Sequence, residues 1–160
     1  NREKILVGAD CAPGIMPGCY IYASGGLLIG DGTQVGPNVG IITNNHDPAD
    51  LSKSVKNEPV IIGKYCWIGM NSVILPGVIL GNNTLVGAGS VVTKSFQDGA
   101  CMIAGNPANI IKHLDVELES GKRIINNIGF LQRESFKTYS RKNIAKEILA
   151  LNDKYQVVEI

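Results

Sequence analysis

A period of six runs through the middle of this 160-residue chain. From Ile62 the residues divide into IGKYCW, IGMNSV, ILPGVI, LGNNTL, VGAGSV and VTKSFQ. The lead positions Ile62, Ile68, Ile74, Leu80, Val86 and Val92 are all aliphatic, and glycine follows four of them. The fifth positions, Cys66, Ser72, Val78, Thr84, Ser90 and Phe96, are mostly small or β-branched. An earlier block, IGDGTQ, VGPNVG and IITNNH, keeps the rule with Ile29, Val35 and Ile41 in the lead. A unit this short is too small for a helix but fits one short strand and a corner. A lead side chain then points inward with the small fifth residue beside it, and Gly or Asn at the corner accepts left-handed backbone geometry. Three units close one triangular coil, so every third unit returns to the same wall. Coils stack by parallel pairing at about 4.8 Å, each covering its neighbour's edge. A β-sandwich would instead show polar–apolar alternation with variable turns. The period alone does not set the hand of the coil.

The phase breaks after His46. The spacing from Ile41 to Ile62 is not a multiple of six, and the stretch between them, DPADLSKSVKNEPV over 47–60, is polar with two prolines. It reads as a loop ejected from the coil at about 47–61, the kind of insertion that often carries function. Residues 11–28 are glycine-rich and only roughly periodic, as an irregular first coil would be. Beyond Asn109 the period is lost. Helical spacing in NIAKEILALNDK predicts a C-terminal helical extension over 113–160, broken near Gly121, whose apolar faces cap the coil or meet a partner. The β-helix domain is accordingly expected over 1–112. With 6% aromatic residues and 19 glycines, the core must be aliphatic. A formal charge of +1 gives no reason to expect nucleic acid or a membrane surface as partner. No apolar run approaches the roughly 20 residues of a membrane span. No signal-like segment opens the chain, which starts at Asn1 rather than Met, as a trimmed chain or a fragment would. Cys11, Cys19, Cys66 and Cys101 show no metal-like spacing and read as small buried hydrophobes in a reduced, cytoplasmic setting.

Four segments in order, TNNHDP (43–48), CWIGMNSVILPGVILG (66–81), VGAGSVVTK (86–94) and AGNPA (104–108), carry a resemblance. Over roughly 25–112 the chain resembles the hexapeptide-repeat acyltransferases. It is most similar to the galactoside, maltose and nodulation-type sugar O-acetyltransferases and their capsular polysaccharide relatives. The resemblance implies a left-handed parallel β-helix and a homotrimer with active sites between subunits. It implies acetyl-CoA as co-substrate, with no metal required. The expected reaction is transfer of an acetyl group to a hydroxyl of a sugar or polysaccharide precursor.

Acyl transfer from a thioester needs a base for the acceptor's proton, and imidazole suits that task near neutral pH. Of the two histidines, His46 lies in the matching motif and is the base that the resemblance implies; His113 is expected on the surface at the start of the tail. Asn44 and Asp47 flank His46, to orient its ring, to bind acceptor hydroxyls or simply to make turns. Trp67, the only tryptophan, takes an outward sixth position, where it lines the acceptor or cofactor cleft or packs on a neighbouring subunit. Met70, Ala88 and Asn106 recur once per coil and are expected to stack along one edge. In the resembling enzymes that edge binds the pantetheine arm. There the Met70 position offers its backbone N–H to the developing oxyanion, and Ala88 and Gly89 let the arm approach, although small residues also suit plain coil packing. Thr93 and Lys94 match contacts near the far end of the cofactor, and Pro107 a contact near adenine. Asn109 stands where a basic residue often follows the NPA segment, leaving Lys112 as the next cation.

Three rivals remain beside this reading. A γ-class carbonic anhydrase needs three zinc-bound histidines, which two histidines do not supply. A non-catalytic assembly module would have no use for TNNHDP, Trp67 and GNPA together. Within the fold, an amino-sugar N-acetyltransferase or a serine or antibiotic acetyltransferase stays open, although serine acetyltransferases usually carry a helical N-terminal region that is not seen here.

Overall fold

The computed structural model describes residues 4–55 and 58–114; the predicted helical extension over 113–160 lies outside the described residues from 115 onward. The described chain is all β, with no helix. β1 (Ile5–Val7) and β2 (Tyr20–Tyr22) belong to the irregular opening coil. β3 (Leu27–Ile29), β4 (Gln34–Val35) and β5 (Gly40–Ile42) make the next circuit. The chain then leaves the coil through β6 (His46–Asp47) and β7 (Asp50–Ser54). It returns as β8 (Val60–Ile62), β9 (Trp67–Ile68) and β10 (Val73–Ile74). β11 (Ile79–Leu80), β12 (Thr84–Val86) and β13 (Val91–Val92) follow, then β14 (Cys101–Gly105) and β15 (Ala108–His113).

Three sheets form the walls, and the chain visits them in rotation. Wall A is β1-β3-β8-β11, wall B is β2-β5-β10-β13, and wall C is β4-β9-β12-β14 with β15 added at its end. All pairings between coils are parallel. The register gives the period physical form: Ile62 faces Leu80, Ile68 faces Val86 and Ile74 faces Val92, each the lead residue of the third unit on. Every lead aliphatic from Ile29 to Val92 is buried, and so are the fifth positions Cys66, Ser72, Val78, Thr84 and Ser90. A buried hydroxyl must be hydrogen-bonded. Accordingly the Ser72 and Ser90 hydroxyls both donate to the Gly87 carbonyl, at 3.0 and 2.6 Å, and the Thr84 hydroxyl donates to the Gly81 carbonyl at 2.7 Å. A methyl group on Gly69 would stand 2.6 Å from the Ala88 amide nitrogen, so the glycine after a lead residue is what lets coils stack.

Two features depart from the simple repeat. Phe96, expected beside the lead position of its unit, instead pairs with Leu80 rather than with Val78, which stands one full coil earlier. The corner after Val92 is short, so Val86 faces Ile103 rather than Ala104. From this register Gly105, and not Asn106, comes above Ala88, which corrects the predicted column at its last member. The chain then turns at Asn106–Pro107, and β15 runs back antiparallel to β14. His113 therefore ends a strand rather than beginning a helix.

Wall A has a second buried column. Strand alternation turns Leu27, Ile29, Val60 and Ile62 inward, where they join the main core. Their neighbours Leu6, Leu28, Ile61 and Ile79 lie in one register line on the outer side, yet all are less than 9% exposed.

Cys11, Cys66 and Cys101 are buried and unpaired, while Cys19 is half-buried. Burial pushes the Cys11 thiol up to about 12 and the Cys66 thiol up to about 11, and raises Cys101 as well. A thiol in the unfolded chain ionises from about pH 9, whereas these hold their protons in the fold, so the unfolded state binds fewer protons above that pH. Their contribution to stability is complete below pH 9 and declines as pH rises toward 11–12. Thermal melts should show the midpoint falling above pH 9, with a shallower fall in Cys66→Ala; an identical slope in the variant would contradict the assignment.

Candidate functional site

Most of the proposed site residues lie at the two edges of wall B, while Trp67 and Lys112 lie on wall C. At the edge where the chain enters wall B from wall C, Met70 and Ala88 are stacked, since Val86 and Ile68 are in register just before them. The Gly89 amide donates to the Met70 carbonyl at 2.9 Å. Among the described residues nothing accepts a hydrogen bond from the Met70 amide itself. Met70 is half exposed, and a Cβ built on Gly89 would meet no atom within 4 Å, so the edge is open. Gly89 has φ +70°, the left-handed region in which a Cβ is strained, so this corner suits glycine. Trp67 stands next to this edge on wall C, 62% exposed, between Gln34 and Leu85.

At the other edge, where the chain leaves wall B for wall A, Thr93 and Lys94 follow β13. The Lys94 ammonium donates to the Asn109 carboxamide oxygen at 2.9 Å and lies 5.7 Å from the Phe96 ring centre. Asn109 also donates to the Pro107 carbonyl at 3.1 Å. Thus Asn109, which replaces a cation in the motif, is bonded to one. Lys112 is exposed in β15, opposite Met102.

His46 leaves from this second edge. The segment predicted as a loop is a two-stranded antiparallel hairpin, with His46 opposite Ser54 and Asp47 opposite Asp50. Its sequence carries no strand signal because β7 has no buried face to impose alternation. Asp47 accepts a hydrogen bond from the Ala49 amide at 2.8 Å, closing the turn. The Ser52 hydroxyl and then the Lys53 ammonium hold the Asp50 carboxyl below its ordinary value. Asn44 donates through Nδ2 to the Ser54 hydroxyl at 3.2 Å, while its Oδ1 is buried and without a partner. Sequence reasoning missed Ser54, which only the hairpin register brings beside His46.

β5 and β10 are parallel neighbours, with Ile41 facing Ile74. Met70 precedes β10 and His46 follows β5, so within one chain they occupy opposite ends of wall B. Asn44, His46 and Ser54 come together at one end; Trp67, Met70, Ala88 and Gly89 come together at the other. Among the described residues, no three His, Cys, Asp or Glu side chains are grouped as metal ligands, and no helix is long and apolar enough to cross a membrane.

Residues 59–94 match the family model described as bacterial transferase hexapeptide (six repeats). The galactoside O-acetyltransferase of Escherichia coli is 37% identical over 92 residues, which are 56% of this chain and 45% of that protein. A maltose O-acetyltransferase structure from Clostridium difficile aligns with TM-score 0.61 at 35% identity, covering 71% of this chain and 60% of that one. A hexapeptide-repeat acetyltransferase from Vibrio cholerae, solved with acetyl-CoA, aligns with TM-score 0.65 at 26% identity, covering 71% and 62%. The chain spans about half the length of the curated relatives it matches.

Proposed function

Because this chain carries the hexapeptide repeat of bacterial transferases and resembles the sugar O-acetyltransferases, we propose that it transfers acetyl from acetyl-CoA to a hydroxyl of a sugar or polysaccharide precursor. The coil winds left-handed, as in the resembling enzymes, and the working unit is a homotrimer. One observation carries the reading: an exposed imidazole lies at one end of wall B and an unpaired backbone amide at the other. A chain that separates its base from its oxyanion donor in this way is completed by a neighbour that supplies the missing half.

In the shared groove His46 takes the proton of the acceptor hydroxyl as its oxygen forms a bond to the thioester carbonyl carbon. The Met70 amide donates to the oxygen that gains negative charge, a fixed dipole where charge develops. The carbon–sulfur bond then breaks, and the proton on the imidazole goes to the departing thiolate. Ala88 and Gly89 leave the groove floor open to the extended arm, and Trp67 offers it an apolar wall. Asn106, Pro107, Thr93, Lys94 and Lys112 are assigned to the nucleotide end. The buried Cys66 thiol, raised by desolvation, is no nucleophile. No step requires a metal.

The test is acetyl-CoA with a panel of galactosides, maltosides, amino sugars, serine and aminoglycosides, read by free-thiol release. Release that depends on a neutral sugar is the expected result. Release only with amino sugars would move the reading to N-acetylation, and none with any acceptor would overturn it.

A further inference from the structure

We propose that Asn44 is a positioning residue for the His46 imidazole and that Ser54 holds Asn44 in place. The inference rests on His46 as the base. Three observations on the hairpin carry it. The Val55 amide donates to the Asn45 carbonyl at 3.0 Å, which brackets His46 and Ser54 from outside their pair. That pattern is of the non-hydrogen-bonded antiparallel kind, which in a regular ladder puts the two side chains on one face with Cα atoms about 4.5 Å apart; the register shifts only after His46, toward Asp47. The Asn44 amide reaches the Ser54 hydroxyl at 3.2 Å, so the carboxamide comes to this same face from just before His46.

The third observation is the carboxamide's other end. Asn44 Oδ1 is buried and has no hydrogen-bond partner. Such an atom costs about 1–3 kcal/mol if it stays unpaired. A neutral imidazole acting as base must keep one nitrogen's lone pair for the acceptor and donate from the other. Asn44 Oδ1 is an acceptor in want of a donor, and His46, two residues on along the chain, carries an exposed ring whose N–H can supply one. The ring N–H of His46 donating to Asn44 Oδ1 satisfies both and fixes the tautomer. Ser54 then sets the direction of the carboxamide by accepting from its Nδ2.

The experiment follows the His46 ring proton by NMR titration in the full chain, assigned with His46→Ala, alongside steady-state kinetics. Asn44→Asp should move the ring's titration midpoint upward by about one pH unit, since a carboxylate at contact favours imidazolium. Ser54→Ala should lower kcat about ten- to hundredfold, as a misplaced base does, with KM for acetyl-CoA unchanged. Ser54→Thr should restore most of the lost rate. A midpoint unmoved in Asn44→Asp, or an unaltered kcat in a folded Ser54→Ala, overturns the proposal. If Ser54→Ala does not fold, the Asn44→Asp titration decides alone. Turnover surviving in His46→Ala would instead sink the base assignment, and the titration would still report whether the contact exists.

Discussion

His46→Ala is expected to reduce turnover by about 10²- to 10⁴-fold, the usual contribution of a positioned general base. The variant should keep its fold, because the side chain is exposed on a hairpin outside the coil. The remaining rate would come from what the substitution leaves untouched, namely the Met70 amide and the binding of the thioester. KM for acetyl-CoA should therefore change little. The acid limb of the pH–rate profile should also vanish, since the group that must be deprotonated is gone. Stopped thiol-release assays across pH check both points. A variant with wild-type turnover and an intact acid limb would assign the base elsewhere.

Ile68→Ala should destabilise the fold by about 2–5 kcal/mol, the range for emptying a fully buried aliphatic site. Ile68 is 0% exposed and sits in register between Val35 and Val86, so its side chain fills space against the coil on either side. Its neighbours cannot collapse into the gap without breaking the parallel ladder that fixes their spacing. Trp67, one residue earlier in the same strand, points outward and is 62% exposed. Trp67→Ala should therefore cost far less stability while impairing catalysis. Denaturant midpoints for the two variants, measured together, make the comparison. Equal losses would mean that the inward and outward positions of β9 have been misassigned.

The contrast between Ile68 and Trp67 shows what is legible in the chain. A period of six encodes which residues face inward, and Ile62, Ile68, Ile74 and Leu80 are buried as it requires. The break after Ile41 likewise locates the excursion that carries His46. What the period does not encode is the length of a corner. Phe96 is apolar in either phase, so the shortened turn after Val92 leaves no mark in the hydrophobic pattern, and the shift passes on to Asn106. The hairpin is illegible for a different reason: a ribbon exposed on both sides has no apolar face to write into its sequence. Its consequence is Ser54, which lies on the far side of a turn from His46 in the chain and directly across from it in the fold.

The outer column of wall A has its own implication. Leu6, Leu28, Ile61 and Ile79 are shielded from water on the side of wall A that turns away from the filled core. A flank whose apolar side chains are already out of reach of water offers a sister protomer little further burial. Wall B, in contrast, has the exposed imidazole and the free amide at its two ends. Ile61→Lys should destabilise the fold as a core substitution does, and a denaturant midpoint equal to that of the unaltered chain would contradict the burial.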